Sequence, residues 1–438
     1  MSIHIRCSHC GSALKAPDGL AGTTAPCPNC RELVRIPAEV DLSMPVAPIV
    51  STPVAASPSP NVVIPTSVSG LRSWQSELPQ EAVVRPLRPE PVAEAPSMLA
   101  RGRFVYWLFA VSLIPLALSL LGANDDFRER FVQTVKSHPE LVQQLEDVHS
   151  QKALKALVSR LPDGRIHGAH LSVDSWAHWF YALLATGGFF GVIWLLFVPG
   201  NASPKQILTV GLATATFGII FLLGVQWIAA ATAGWNMMGA SIITLFFYIV
   251  KFIGFSYSAA MSPHTGFWLS FLGFTFGVGL CEELTKALPV IFYIRGGSKL
   301  DWHGACMWGL ASGIGFGIAE GIMYSSEQYN GFSTSGIYLV RFVSCVGLHA
   351  MWGASVAIMV WRRREWLQSD GEWSDLLASL LYILAIPMVL HGLYDTMLKK
   401  DMQGAAFLVA LASFAWLVVL TEWTRAAAPR RREIATGS

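Results

Sequence analysis

Two sets of residues in this chain have types and spacings that could do chemistry. The first lies at the N-terminus, where Cys7-x2-Cys10 and Cys27-x2-Cys30 are separated by 16 residues. Two such knuckles can present four thiolates to one tetrahedral Zn²⁺. Gly11, Gly19 and Gly22 allow tight turns around them, and Pro28 stiffens the second knuckle. Residues 1–38 are too few to bury a core, so a structural Zn²⁺ would supply much of this ribbon's stability. Two disulfides are the alternative, which a cytoplasmic location disfavours. The second set is spread through long apolar runs: Glu282-Glu283-x2-Lys286, Phe316-x3-Glu320-x3-Tyr324, His349-x3-Gly353 and His391-x3-Asp395.

Ionisable groups inside apolar spans are costly, which makes them functional candidates. Glu282 and Lys286 are four apart and share a helix face, so Lys286 could neutralise one carboxylate while Glu283 serves as a general base. Glu320 sits in a four-residue stripe with Phe316 and Tyr324. Gly353 would leave open space beside the His349 ring, and Asp395 could orient His391 or share a ligand site with it. Two mechanisms fit these residues. In one, His349, His391 and a carboxylate (Glu320 or Asp395) bind a catalytic Zn²⁺ and Glu283 takes a proton from its water. In the other, Glu282 or Glu283 activates water directly and the histidines stabilise an oxyanion. Cys281, Cys306 and Cys345 lie in apolar spans and read as buried packing residues.

The elements that must position these groups follow from composition. Of 438 residues, 53% are hydrophobic and only 14% charged, where a soluble domain carries about 25% charged residues. Mean hydropathy is +0.46. A single soluble domain is excluded, and an all-α polytopic membrane protein with 8–9 transmembrane helices is expected, with the small zinc ribbon in front. Candidate spans fall near 104–122, 176–198, 207–229, 237–258, 268–294, 303–324, 338–361, 376–397 and 404–423. The first 30 residues have no apolar h-region, so no secretory signal is expected and the first span would be an uncleaved anchor. Residues 39–100 read as an extended linker, since 12 of the 24 prolines lie between Pro37 and Pro96. Residues 101–425 form the membrane region, and 426–438 a basic tail with Arg430, Arg431 and Arg432.

Arginines orient the spans. Arg295 and Lys299, the Arg362–Arg364 run and the C-terminal arginines all follow candidate spans, which puts these ends and the C-terminus in the cytoplasm. A cytoplasmic ribbon then needs an even number of crossings, and nine is odd. The weakest candidate is 237–258, which carries Lys251 and reads as re-entrant or interfacial. Counting about 1.5 Å per residue from the cytoplasmic ends puts Glu283, His349, His391 and Glu320 about 18–26 Å deep, consistent with one shared polar cavity. The polar stretch 123–175 reads as a solvated extracytoplasmic loop, with short amphipathic helices around Leu141 and Leu154; a substrate-gripping cap is the alternative. Small residues at Gly309, Gly313, Gly317 and Gly321, and at Gly273 and Gly277, would let the Glu320 and Glu282–Glu283 helices approach closely.

In this order, the four motifs resemble the PrsW family of intramembrane proteases, distant relatives of the type II CAAX prenyl proteases. The resemblance covers about residues 265–400. It implies a multi-helix fold with a polar intramembrane site and cleavage of a membrane-anchored protein substrate, in some members an anti-sigma factor. It also implies either a metallopeptidase or a metal-free glutamate mechanism, carried by Glu282, Glu283, Lys286, Glu320, His349, His391 and Asp395. The ribbon lies outside the resemblance. Its few basic residues (Arg6, Lys15, Arg31, Arg35) suit a cytoplasmic protein partner, and the net charge of +2 gives no argument for nucleic acid. Two other functions remain for the same buried groups: a membrane transporter using them as an ion relay, or a non-catalytic membrane scaffold.

Overall fold

The computed structural model describes residues 2–6, 13–17, 22–27, 33–36, 106–121, 126–142, 150–196, 202–297, 300–368 and 373–436. Cys7, Cys10, Cys30, the 39–100 stretch and Lys299 fall outside them. The chain divides into two units, Met1–Pro86 and Leu87–Ser438. In the first, β1 (Ser2–Arg6) pairs antiparallel with β2 (Ala13–Pro17), and β3 (Thr24–Pro26) with β4 (Leu33–Arg35). Ile5, Ala25, Val34 and Ile36 make its small apolar contacts, and Cys27 is buried beside Val34.

The second unit is helical. Its helices are α1 (Tyr106–Ser119), α2 (Phe127–Ser137), α3 (Gln151–Val158), α4 (Ala177–Leu196), α5 (Pro204–Ala231), α6 (Ile242–Met261), α7 (Phe267–Arg295), α8 (Trp302–Tyr329), α9 (Ser335–Arg362), α10 (Trp373–Lys399) and α11 (Gln403–Thr436). Among the described residues, α4 to α11 are the eight long and apolar enough to cross a membrane. The second unit is thus an all-α polytopic membrane domain. Two spans differ from expectation. Within the first expected span, 104–122, the described residues form α1, which is interrupted at Leu113 just ahead of Pro115, whose ring nitrogen cannot donate to the preceding turn. The 237–258 candidate becomes α6, which starts only at Ile242, where the Ser241 hydroxyl caps the Thr244 N–H.

Glycine decides how the central helices pack. A Cβ at Gly313 would overlap the His349 carbonyl oxygen, and one at Gly353 would lie 2.6 Å from the Gly309 carbonyl. The α8 and α9 backbones therefore touch, which a membrane interior permits only where side chains are absent. This corrects the expectation for Gly353: it leaves no space beside His349 but admits α8. Gly211 and Gly315 bring α5 against the opposite side of α8 in the same way. Gly273 and Gly277 do not face the Glu320 helix. They receive the backbone of α6 at Ser256, Tyr257 and Ala260, while Gly279 meets the Met388 carbonyl of α10.

The described residues of the polar stretch, 126–142 and 150–175, pack together. Leu141, Leu157, Val158, Leu161, Ile166 and Val173 bury one another against Phe332 of the α8–α9 connection. Backbone hydrogen bonds join Ile166 and Leu171 to Gly331 and His170 to Ser333, and the Lys155 ammonium donates to the Ser326 carbonyl at 2.9 Å. This small domain is fastened to the connection between the helices that carry Glu320 and His349.

Four π-helical turns interrupt the core helices, at Thr214–Gly218, Phe274–Gly279, Ser325–Tyr329 and Val340–Cys345. Such turns insert a residue and rotate the helix beyond them, and they concentrate at functional sites. Three of them flank the polar residues of α7, α8 and α9. Because no side chain can yield at the α8–α9 contact, Gly313→Ala should destabilise the protein by about 1–3 kcal/mol. Thermal unfolding in detergent would read this loss, with Gly187→Ala, which meets nothing within 4 Å, as the neutral control.

Candidate functional site

Helix α7 contributes three groups within two turns. Lys286 has no exposed side-chain surface, and neither has Glu283; its ammonium donates to Glu283 Oε1 at 2.6 Å. The expected partner, Glu282 at four residues, is 3.9 Å away. The three-residue step is chosen because Glu283 Oε1 also faces His391 Nδ1 at 2.9 Å, so one oxygen serves two donors. Lys286 carries only donors and lies 3.0 Å from His349 Nδ1, which must therefore accept. This bond places the His349 ring proton on Nε2, which is 2.8 Å from Glu320 Oε2.

Glu320 sits between two cations or donors. Arg341 Nη2 approaches the same Oε2 at 2.6 Å, and its guanidinium lies 4.5 Å from the centre of the Tyr324 ring. Sequence reasoning missed Arg341. A signal existed: it lies 21 residues before Arg362, about 31 Å along a helix and at the end opposite the arginine run, where the charge bias does not place a cation. Trp352 was also missed. It stacks on His391 at 4.2 Å and 17°, holding the imidazole plane.

His391 donates through Nδ1 to Glu283, which leaves Nε2 facing Glu282 Oε2 at 3.7 Å and Asp395 Oδ2 at 3.5 Å. Glu283, and not Asp395, makes the short contact that orients this ring. Three carboxylate oxygens of the cluster, Glu283 Oε2, Glu320 Oε2 and Glu282 Oε2, are buried without a hydrogen-bond partner, and the one that faces both histidines is Glu282 Oε2. It looks across at His391 Nε2 (3.7 Å), His349 Nδ1 (3.9 Å) and Lys286 Nζ (3.9 Å). Glu283 Oε1 thus takes the short contacts to Lys286 and His391, whereas the ion-pair distances of Glu282 Oε2 begin at 3.7 Å.

The structure brings all the polar residues of the four motifs into this one cluster. Donor atoms of Glu282, His349 and His391 lie within 4.8 Å of one another. A tetrahedral Zn²⁺ with bonds near 2.1 Å spaces its ligands about 3.4 Å apart. The 3.7 Å and 3.9 Å separations from the unpartnered Glu282 oxygen are close to that, and with the Lys286 ammonium drawn off His349 Nδ1 these residues could hold a metal ion. Glu320 and Asp395, the carboxylates expected as ligands, stand one step further out, against His349 and His391.

Removing Lys286 leaves a buried carboxylate without its partner. Lys286→Met should cost about 3–5 kcal/mol in unfolding free energy, while Lys286→Met with Glu283→Gln should recover much of it. Denaturation of the purified variants in detergent measures both. Arg341→Gln should also cost stability, because it leaves the buried Glu320 carboxylate without its cation, and Arg341→Lys should recover part of the loss; equal unfolding free energies of all three chains would deny Arg341 a part in holding Glu320.

No curated protein and no solved structure matches the chain. Residues 224–421, the segment that holds every polar residue of this cluster, match the family model described as PrsW family intramembrane metalloprotease, which supports a multi-pass membrane protease.

Proposed function

We propose that the chain is an intramembrane endopeptidase of the PrsW type, hydrolysing peptide bonds of membrane-anchored proteins in regulated proteolysis of the anti-sigma-factor kind. The observation that carries this is the unpartnered, buried Glu282 oxygen facing two histidines. Peptide hydrolysis needs a group to take a proton from water, polarisation of the carbonyl, and exclusion of bulk solvent. Without a metal, Glu282 supplies the first. His391, its plane set by Trp352 and its tautomer by Glu283, presents Nε2 to the reacting side. Lys286 balances Glu283 so that the site is not a cluster of bare carboxylates. Arg341 does the same for Glu320, which in turn holds His349.

Glu282, His349 and His391 would hold a catalytic Zn²⁺, which would supply Lewis-acid polarisation and a more acidic bound water. One observation favours the metal-free alternative: both His349 ring nitrogens already face partners, Lys286 and Glu320. In that reading Glu282 acts as base on water and the histidines bind the oxyanion. The N-terminal cysteines would hold a separate structural Zn²⁺, with the ribbon and the C-terminal tail cytoplasmic and the ribbon docking a protein partner.

Membrane-protein N-termini compared by mass spectrometry test the activity. Cells with the native chain should show new N-termini next to membrane-anchored segments, and cells with Glu282→Gln at equal abundance should not. Identical profiles would transfer these buried groups to a transporter or scaffold. Metal analysis separates the two mechanisms. With Cys7, Cys10, Cys27 and Cys30 changed to Ser, the metalloenzyme retains one Zn²⁺ per chain and loses it with His391→Ala. An active, metal-free preparation establishes the glutamate mechanism.

A further inference from the structure

The helix ends show which faces of the membrane they reach. The Ser175 carbonyl, just before α4, accepts from Asn330 Nδ2 in the α8–α9 connection at 2.7 Å. The start of α4 and the α8–α9 connection therefore share a face. Five candidate spans, α4 to α8, lie between these two residues. Five crossings would put Ser175 and Asn330 on opposite faces, so one of the five does not cross.

Two further contacts identify it. Helices α9 and α10 lead away from that face and back, returning Lys399 to it. Lys399 Nζ bonds the carbonyls of Ala260 and Ser262 at 2.6 Å each and the Thr265 hydroxyl at 2.9 Å, which puts the α6–α7 connection on the same face. Helices α4 and α5 also lead away and back, so the end of α5 at Ala231 reaches it too. Both ends of residues 232–261 thus meet one face.

Local packing agrees. In a plain antiparallel hairpin, the last turn of α5 would face the first turn of α6. Instead Gly254, well past the start of α6 at Ile242, rests on the Ala229 carbonyl, where a Cβ would lie 2.6 Å from the oxygen. The residues between run back along the helix. Lys251 Nζ donates to the Trp235 carbonyl at 2.7 Å and to Asn236 Oδ1 at 2.9 Å, and the Tyr248 hydroxyl donates to the Met237 carbonyl at 3.0 Å. Non-helical backbone at membrane depth requires such donors, because lipid offers none. This accounts for a lysine in the middle of an apolar helix.

We propose that residues 232–261 are a re-entrant hairpin, a non-helical leg followed by α6, that enters and leaves by the face carrying residues 126–175 and forms a lateral wall of the glutamate–histidine site. Ile253 packs on the cluster of Leu222, Phe316 and Cys281, the last directly before Glu282 in sequence, and the Phe252 and Phe276 ring centres are 5.6 Å apart. The crossings are then α1, α4, α5 and α7 to α11. Helix α1 qualifies despite its length: the Tyr106 hydroxyl donates to Glu422 toward the far end of α11, and the Leu116 N–H to Ser344 nearer the α8–α9 connection. A wall anchored from one face can move aside without drawing a helix across the bilayer, which gives a membrane-anchored substrate a way in between α5 and α7. This last role rests on the protease reading; the hairpin does not.

Single cysteines labelled with a membrane-impermeant maleimide in sealed, oriented vesicles test it, each read above the label taken by the parent chain. Asp163→Cys, Gly234→Cys and His264→Cys should label from one face, and Lys205→Cys and Gly296→Cys from the other. Any other partition overturns the hairpin; Gly234 and His264 on opposite faces would make α6 a crossing helix. Adding Lys251→Met to the Gly234→Cys chain should raise its labelling rate several-fold, and an unchanged rate would remove Lys251 from the hairpin's support. Labelling needs no substrate, so failure of the protease reading and failure of the hairpin are told apart.

Discussion

The structure depends on holding Glu283 and Lys286 together where no water reaches either side chain. A lone buried charge is strongly destabilising, and a pair is tolerated only when its remaining lone pairs and protons are also satisfied. Here Glu283 Oε2 stays without a partner, while the other polar contacts of the pair extend outward in both directions. Glu283 takes His391, and Lys286 takes His349. His349 reaches Glu320, and Glu320 reaches Arg341. Four helices are thereby tied through one chain of polar contacts, and Glu282 is left facing the middle.

That chain requires helices closer than ordinary side chains allow. In lipid there is no hydrophobic drive to press them together, so close approach comes from absent side chains and backbone contact. The Gly309–Gly313–Gly317 ridge of α8 against Gly353 and His349 of α9 supplies this. The His349 ring is delivered beside Glu320 because the two backbones touch. The π-helical turns before Glu282 and before His349 are part of the same adjustment, since an inserted residue changes which side of a helix faces the cluster.

The same economy of polar groups organises the periphery. Lys399 closes the end of α6, Lys251 and Tyr248 support the leg before it, and Lys155 fastens its own domain to the end of α8. Each is a cation or hydroxyl meeting backbone carbonyls that helices leave open. The domain packs on the connection between the Glu320 and His349 helices.

Much was legible in the sequence because membranes impose simple rules. Apolar runs of about 20 residues mark helices, and charged residues within them are rare enough to stand out. Glu282, Glu283, Lys286, Glu320, His349, His391 and Asp395 could be singled out on this ground alone, and the ambiguity of 237–258 followed from Lys251. What the sequence could not decide was partnership. Periodicity offers Lys286 two carboxylates, at three and at four residues; the choice of Glu283 comes from His391, which lies on another helix. Gly353 is equally readable as open space or as close contact until Gly309 is brought against it. Arg341 looks like an interfacial residue until its neighbour in space is known to be Glu320. Composition and spacing determine which groups are buried; only tertiary packing determines which of them meet, because those contacts join residues from different helices.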